Sequence, residues 1–282
     1  MKVADIMVKK PIVAYLPGNR DEVVRTLVKN KKTGLPVVKK SSGEYVGFIT
    51  RQRLFEKPDT EQLALLVIKD HPTVMMNDSV EHAAKLLLRN EAHHLPVLNS
   101  KGKVEGIVTP ADFLRIIHEK RMSQPISEYV RSPCIPLHRK TPLKVALLTM
   151  RLAKLYAFPV VDDDGILIGL ITDRDVFNAN VIEKSVSSSE IGLGDDEDAW
   201  NWEGLKNVMK LYYETSKIDV PNIPVEEIMI KDPVTTFKNT PVSEAASIML
   251  ENDYGQLPIK DENNKLMAMV YELDLLESLL EE

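Results

Sequence analysis

The sequence predicts an α+β protein made of four β-α-β-β-α units that pair into two domains. Two observations carry this expectation. An apolar strand centred on proline recurs four times, at Pro36, Pro96, Pro159 and Pro258. Each copy is followed by a second apolar strand: Gly47-Phe48-Ile49-Thr50, Gly106-Ile107-Val108-Thr109, Gly169-Leu170-Ile171-Thr172 and Ala268-Met269-Val270-Tyr271. A fixed period of this kind marks a supersecondary unit that buries its apolar face against its neighbours.

The prolines stand 60, 63 and 99 residues apart, and the excess in the last interval falls in residues 184–222. That segment, with Ser187-Ser188-Ser189 and Asp195-Asp196-Glu197-Asp198, reads as an insertion. The expected boundaries are therefore 1–58, 59–122, 123–183, the insertion at 184–222, and 223–282. The units pair as 1–122 and 123–282, because a small sheet with helices on one face leaves the other face to be covered.

Within a unit each element has its own signal. A lead segment comes first: Val3-Ala4-Asp5-Ile6-Met7, Leu63-Ala64-Leu65-Leu66-Val67, Ile126-Ser127-Glu128-Tyr129-Val130 and Val225-Glu226-Glu227-Ile228-Met229. A strand opened by Pro11, Pro72, Pro133 or Pro233 follows, where proline removes no ladder hydrogen bond. Thr141-Pro142 and Thr240-Pro241 pair an N-cap hydroxyl with proline at the first helical position, and Asp78 to Glu81 has capping-box spacing. Helical periodicity continues through Val80, Ala83, Ala84, Leu87 and Leu88. Turn-rich segments such as Asp162-Asp163-Asp164-Gly165 then join two strands as a hairpin, and a last helix begins near Asp112, Asp175 or Asp274.

Composition excludes several classes. The chain has 282 residues, 44% hydrophobic and 28% charged, with a net charge of −6. It lacks an apolar run long enough to span a bilayer and a secretory leader. Cys134 is the single cysteine, so no intrachain disulfide forms, consistent with a cytoplasmic setting. The acidic balance argues against nucleic acid and membrane surfaces as partners. Abundant Lys and Glu with few Gln hint at a thermophile. Phosphate-loop, nucleophile-elbow and His-Glu-x-x-His motifs are absent.

The combination of an Asp-Ile-Met lead, an apolar-Pro-Val strand and Gly-x-x-Thr-x-x-Asp resembles the CBS domain family. Four copies in one chain resemble a stand-alone protein of archaeal type with two tandem pairs, or Bateman modules. The resemblance implies pseudo-twofold modules whose clefts bind adenosyl ligands: AMP, ADP, ATP, S-adenosylmethionine or methylthioadenosine. It also implies face-to-face packing of modules, within one chain or a homodimer.

In the family the acid opening the last helix accepts hydrogen bonds from the ribose hydroxyls. An ionised carboxylate is acceptor-only and a vicinal diol offers two donors, so the chemistry fits. Here that residue lies 16 positions after the repeat proline, as Asp112, Asp175 and Asp274. Thr109 with Asp112 and Thr172 with Asp175 keep the family pattern. Tyr271 stands where Thr is expected before Asp274, and Arg53 replaces the acid in the first unit, voiding that ribose site. Taken alone each Asp is better explained as a helix cap, and it is the Thr three residues earlier and the repeat that favour ligand binding at Asp112 and Asp175.

The resemblance further implies an adenine pocket from Cys134, Ile135, Phe158 and Pro159, and phosphate contacts from Arg51, Lys32, His93 and His94. For the Asp112 cleft, unit one offers Lys31, Lys32, Thr33, Arg51 and Arg53. For the Asp175 cleft, unit four offers Asp253, Tyr254, Gly255, Gln256 and Glu272, without a base. That cleft is therefore expected to suit an adenosyl ligand of little negative charge, unless Arg131, Arg139 or Arg174 reaches in. His93 and His94, adjacent on a strand, point to opposite faces and make a poor metal site.

The insertion carries both tryptophans, Trp200 and Trp202, then Leu205, Val208, Met209, Leu211 and Tyr212. It reads as a connector helix covering an apolar face, or as an element that senses ligand or docks a partner. The function expected is a non-catalytic regulator acting on an unidentified protein. The alternative is a small enzyme acting on an adenosyl compound with Asp as acid or base.

Overall fold

The computed structural model describes residues 1–57, 59–176 and 221–280. The expected insertion, apart from Pro221 and Asn222, lies outside the described residues. Unit one contains α1 (Val3–Ile6), β1 (Val8–Lys9), β2 (Ala14–Leu16), α2 (Arg20–Lys29), β3 (Gly34–Lys39), β4 (Tyr45–Thr50) and α3 (Arg51–Glu56). Unit two follows with α4 (Leu63–Leu66), β5 (Val74–Met75), α5 (Val80–Arg89), β6 (Leu95–Leu98), β7 (Val104–Val108) and α6 (Pro110–Glu119). Unit three has a 3-10 turn (Ile126–Glu128), β8 (Leu137–His138), α7 (Leu143–Ala153), β9 (Ala157–Val161) and β10 (Leu167–Thr172). Unit four has a 3-10 turn (Val225–Glu227), β11 (Ile230–Lys231), β12 (Thr236–Phe237), α8 (Val242–Asn252), β13 (Gln256–Lys260), β14 (Leu266–Tyr271) and α9 (Glu272–Leu275).

Each unit holds a small mixed sheet, its first strand parallel to the second and the hairpin antiparallel. Strand alternation divides the side chains between two environments. Ile171 enters the core under unit three's own helix, whereas Leu170 meets Ala157, Met269 and Tyr271 between units three and four.

The lead segments are exchanged within each pair. Val3 and Met7 are buried in the core of unit two, and Val3 N–H donates to Asp78 O at 2.9 Å. In return Leu63 and Leu66 complete the core of unit one, and Leu63 N–H donates to Gly18 O at 3.2 Å. Ile126 and Tyr129 enter the core shared with unit four, while Val225 enters that of unit three. Strand β1 adds to β7, and β11 to β10, at the edges of the partner sheets. No unit is closed by its own residues alone.

The helical sides join the two pairs. Residues of α5, α6, α8 and α9 belong to one continuous core across units two and four. Units one and three meet through Phe55, which packs against both of their cores. Helix α6 runs ten residues and α3 only six, and a groove lined by Phe55, Leu147, Leu148, Met150, Leu155 and Tyr156 remains beside α7. Among the described residues no helix is long and apolar enough to cross a membrane.

Three local expectations are corrected. The first strands begin at Ala14, Val74, Leu137 and Thr236, two to four residues after the prolines. The intervening residues are the link that crosses from one unit to the other, so they have no ladder partner there. Pro142 and Pro241 are themselves the N-caps, and Thr240 Oγ1 instead accepts from Phe237 N–H at 3.3 Å, holding the turn before the helix. In α5 the cap is Ser79, which accepts from His82 N–H at 3.1 Å, while Asp78 accepts from Met75 N–H at 2.7 Å.

Candidate functional site

The four turns after the last strand of each unit carry the candidate site. In unit two the N–H and hydroxyl of Thr109 both donate to Asp112 Oδ2, at 2.7 and 3.0 Å. In unit three Thr172 does the same to Asp175 Oδ2, at 2.8 and 2.6 Å. Both acids thus cap their helix through one oxygen, and among the described residues Oδ1 of each has no hydrogen-bond partner. Capping and ligand binding are compatible, because they use different oxygens.

Asp274 differs. Its Oδ2 accepts from Tyr271 N–H at 2.9 Å and its Oδ1 from the Ser132 hydroxyl at 3.0 Å. Ser132 belongs to unit three, so a side chain of the partner unit occupies the outward oxygen. Tyr271, lacking an aliphatic hydroxyl to turn inward, sends its phenol to Ala157 O at 2.8 Å. In unit one Thr50 Oγ1 accepts from Arg53 N–H at 3.1 Å, and the Arg53 guanidinium turns to Glu56 at 3.0 Å. His71 stacks on Phe48 in that pair, ring centroids 4.4 Å apart.

Burial pushes Asp112, Asp175 and Asp274 above the usual carboxylate range. The Thr109 bonds, Arg115 and Lys32 pull Asp112 back, and the Thr172 bonds, Arg174 and Arg51 pull Asp175 back. Lys32 thus lies where it acts on the Asp112 carboxylate, from unit one.

Arg51 is placed otherwise than expected. Rather than serving the Asp112 cleft, it crosses to unit three, where its guanidinium stands 3.3 Å from Asp173, both side chains largely buried. Arg174 lies 3.8 Å from Asp253. Arg131 pairs with Glu277 and Arg139 with Asp163. Positive charge near Asp175 therefore comes from Arg174, one of the three arginines the sequence left open, and from Arg51 of unit one. Spacing within one pair of units could not reveal a side chain arriving from the other pair.

The four residues after the turn Thr or Tyr are Arg51, Pro110, Asp173 and Glu272. Three of them donate their N–H to the carbonyl three residues before the repeat proline: Arg51 to Thr33, Asp173 to Tyr156 and Glu272 to Gly255, at 3.0, 2.9 and 2.8 Å. Pro110 has no N–H to give. Burial, with Asp112 and Asp253 nearby, raises the Glu272 carboxyl to about 8.

His94 is buried and its Nε2 lies 2.6 Å from the Thr33 hydroxyl of unit one, while His93 meets Tyr156 of unit three edge-on at 4.4 Å. The two rings face different units. Burial lowers His93 to about 4 and His94 well below the usual imidazole value, so both are neutral at pH 7. The four residues read as an adenine pocket are divided. Phe158 is wholly buried in the core of unit three and Pro159 is buried on the same strand, whereas half-buried Cys134 packs with Tyr271. Ile135 packs against the core of unit three.

Four repeats that trade lead segments in pairs, each with a helix-capping turn at the pair boundary, define a protein of paired modules. The chain belongs to the CBS domain family, whose profile matches residues 3–59, 65–119, 126–181 and 225–281. It is 25% identical over 297 aligned positions to the uncharacterized protein MJ1225 of Methanocaldococcus jannaschii, covering 98% of this chain and 97% of that one. The crystal structure of MJ1225 superposes with a TM-score of 0.79 at 22% identity, covering 99% of this chain and 100% of the other, a likeness of fold. An uncharacterized conserved protein of Pyrococcus horikoshii superposes with a TM-score of 0.66 at 28% identity, covering 99% and 100%. Homoserine O-acetyltransferase of Methanocorpusculum labreanum is 28% identical over 118 residues, 42% of this chain and 24% of that enzyme.

Proposed function

We propose that the chain is a non-catalytic regulatory protein that binds an adenosyl ligand at Asp112 and Asp175 and transmits occupancy to a separate protein. The observation that carries this reading is the shared state of the two acids. Each is fixed through Oδ2 by its own turn, with Oδ1 left to accept from a vicinal diol. A hydrogen bond to a charged acceptor contributes roughly 1.5–3 kcal/mol, enough for one carboxylate to hold a ribose. Asp274 has both oxygens engaged and Arg53 is a donor, so two of the four turns are competent. The M. jannaschii protein of the same fold has been put forward as an archaeal homolog of g-AMPK, which accords with a regulatory role.

Calorimetric titration with AMP, ATP, S-adenosylmethionine and methylthioadenosine tests the reading. The expected result is binding of at least one of them, reduced by Asp112→Ala and by Asp175→Ala and abolished by both together. Binding unaffected by the double variant, or chemical turnover of the bound compound, would overturn it.

A further inference from the structure

The middle helices of units three and four share an inner face. In α7 the buried side chains are Leu143, Ala146 and Met150, and in α8 they are Val242, Ala245, Ala246 and Met249. The outer face differs between repeats. At 14, 11 and 7 residues before the repeat proline stand Glu22, Arg25 and Lys29 in unit one, His82, Lys85 and Arg89 in unit two, and Glu244, Ser247 and Glu251 in unit four. All of these are exposed except half-buried Ser247. In unit three the same positions hold Val145, Leu148 and Leu152, exposed by 46%, 44% and 73%. Single exposed apolar residues are ordinary. Three of them on one helix face, where the other repeats carry only polar residues, form a stripe that marks a contact. Leu148 also lines the groove beside α7, so stripe and groove are continuous.

Unit three is also the unit that the insertion follows. The described chain stops at Val176, buried in the same core as Met150 of α7, and resumes at Pro221. Two residues later Ile223 O accepts from Leu143 N–H at 2.8 Å, and Val225 N–H donates to Thr141 O at 2.9 Å. Residues 177–220 therefore leave from the core into which α7 packs and return at its first turn. Helix α7 has eleven residues, about 16 Å at 1.5 Å per residue, so this stretch of chain is ample to lie along it.

We infer that the outer face of α7 is the docking surface for the chain's own residues 200–212. That stretch offers Trp200, Trp202, Leu205, Val208, Met209 and Tyr212, the last four at i, i+3, i+4 and i+7, the sequence counterpart of the α7 stripe. Charge agrees as well. Lys144 and Arg151 adjoin Val145 and Leu152, and the segment brings Asp195-Asp196-Glu197-Asp198 and Glu203. A tethered occupant binds at high effective concentration, so a modest apolar contact suffices. The tether also explains why one repeat of four has an apolar outer face: the described chain on both sides of the segment contacts unit three.

Both tryptophans of the chain lie in this segment, so their fluorescence in the full chain reports on it alone. The expected result is emission at shorter wavelength than in the denatured protein. Leu148→Asp combined with Leu152→Asp should move it to longer wavelength and at least double quenching by acrylamide. Lys85→Asp with Arg89→Asp, at the equivalent sites of α5, should change neither. Should the Leu variants unfold the protein, a second measurement decides: in a Cys134→Ser background, Leu152→Cys with Met209→Cys should form a disulfide within one chain under mild oxidation. Native emission matching that of the denatured protein, or emission indifferent to Leu148→Asp with Leu152→Asp, overturns the inference. So does a red shift that accompanies dissociation of a dimer in light scattering, or a disulfide formed only between chains, either of which assigns the face to a second copy.

Discussion

Gly106 lies against Met7, and a Cβ on the glycine would stand 2.5 Å from the methionine sulfur. The two residues belong to different repeats, the glycine to strand β7 of unit two and the methionine to the lead segment of unit one. Gly169 meets Met229 in the same way, at 2.4 Å. The methionine of the lead motif and the glycine of the strand motif are therefore halves of one contact, made across the pair. In unit one the crossing chain presents backbone instead: Gly47 faces the carbonyl oxygen of Ile68, and Phe48 exchanges two backbone hydrogen bonds with Ile68 at 2.9 and 2.8 Å.

The nature of the obstructing atom ranks these glycines. Gly47→Ala presses a methyl group into backbone at 2.4 Å and should destabilise the protein by about 2–3 kcal/mol, the upper range for overpacking. Gly106→Ala meets Sδ and Cγ of the Met7 side chain first, with the Val8 carbonyl at 3.1 Å, and should cost less, about 1–2 kcal/mol. Denaturant unfolding measures both, and Met7→Ala should couple to Gly106→Ala in a double-mutant cycle but not to Gly47→Ala.

Exchange of the lead segments predicts where damage appears. Val3 is fully buried in the core of unit two, so Val3→Ala should lower stability by about 1 kcal/mol. Hydrogen exchange should then accelerate in α5 and β7, not in β2 and β3 of the unit to which Val3 belongs by sequence. Equal loss of protection in both units would contradict the exchange.

With both of its oxygens engaged, Asp274 is expected to act as a structural acid. Asp274→Ala removes the acceptor of both Tyr271 N–H and the Ser132 hydroxyl, and should destabilise by about 1–3 kcal/mol. The number of ligand sites measured by calorimetry should stay as in the parent protein. Ser132→Ala, by contrast, frees Oδ1 without disturbing the cap and should cost less than Asp274→Ala.

Glu272 and His93 set opposite pH limits. The folded protein holds the Glu272 proton up to about pH 8, whereas the unfolded chain releases it near 4.5. Its contribution is therefore fully present below pH 4.5 and is lost as the pH rises through 8. His93 is depressed from 6.5 to about 4, so it remains neutral when folded and its contribution is lost as the pH falls from 6.5 toward 4. Glu272→Gln should flatten the alkaline side of the stability profile, raising Tm at pH 8 relative to pH 5 by about 3 °C compared with the parent. A parallel profile for parent and variant would show that Glu272 ionises normally.

The period, the order of elements and the Thr-x-x-Asp turns were legible in the sequence because they depend on residues close together along the chain. Even the helix ends repeat: Lys31, Glu91, Lys154 and Asp253, each five residues before its proline, all take a positive φ of 48–55°. The ends of the first strands were misjudged, since proline marks where the chain leaves one unit and not where pairing begins. Phe158, which the resemblance places in an adenine pocket, is turned by strand alternation into the core of unit three.

The sequence alone determined four copies of a two-layer unit and the three acids at their turns, through local spacing of proline, glycine, threonine and aspartate. Tertiary structure decided which unit each lead segment closes, which acid keeps an open oxygen, and that Arg51 meets Asp173 across the boundary between pairs. Those choices depend on residues far apart in the chain, such as Ser132 with Asp274 and Arg51 with Asp173, whose meeting is fixed by packing of whole units and leaves no periodic trace.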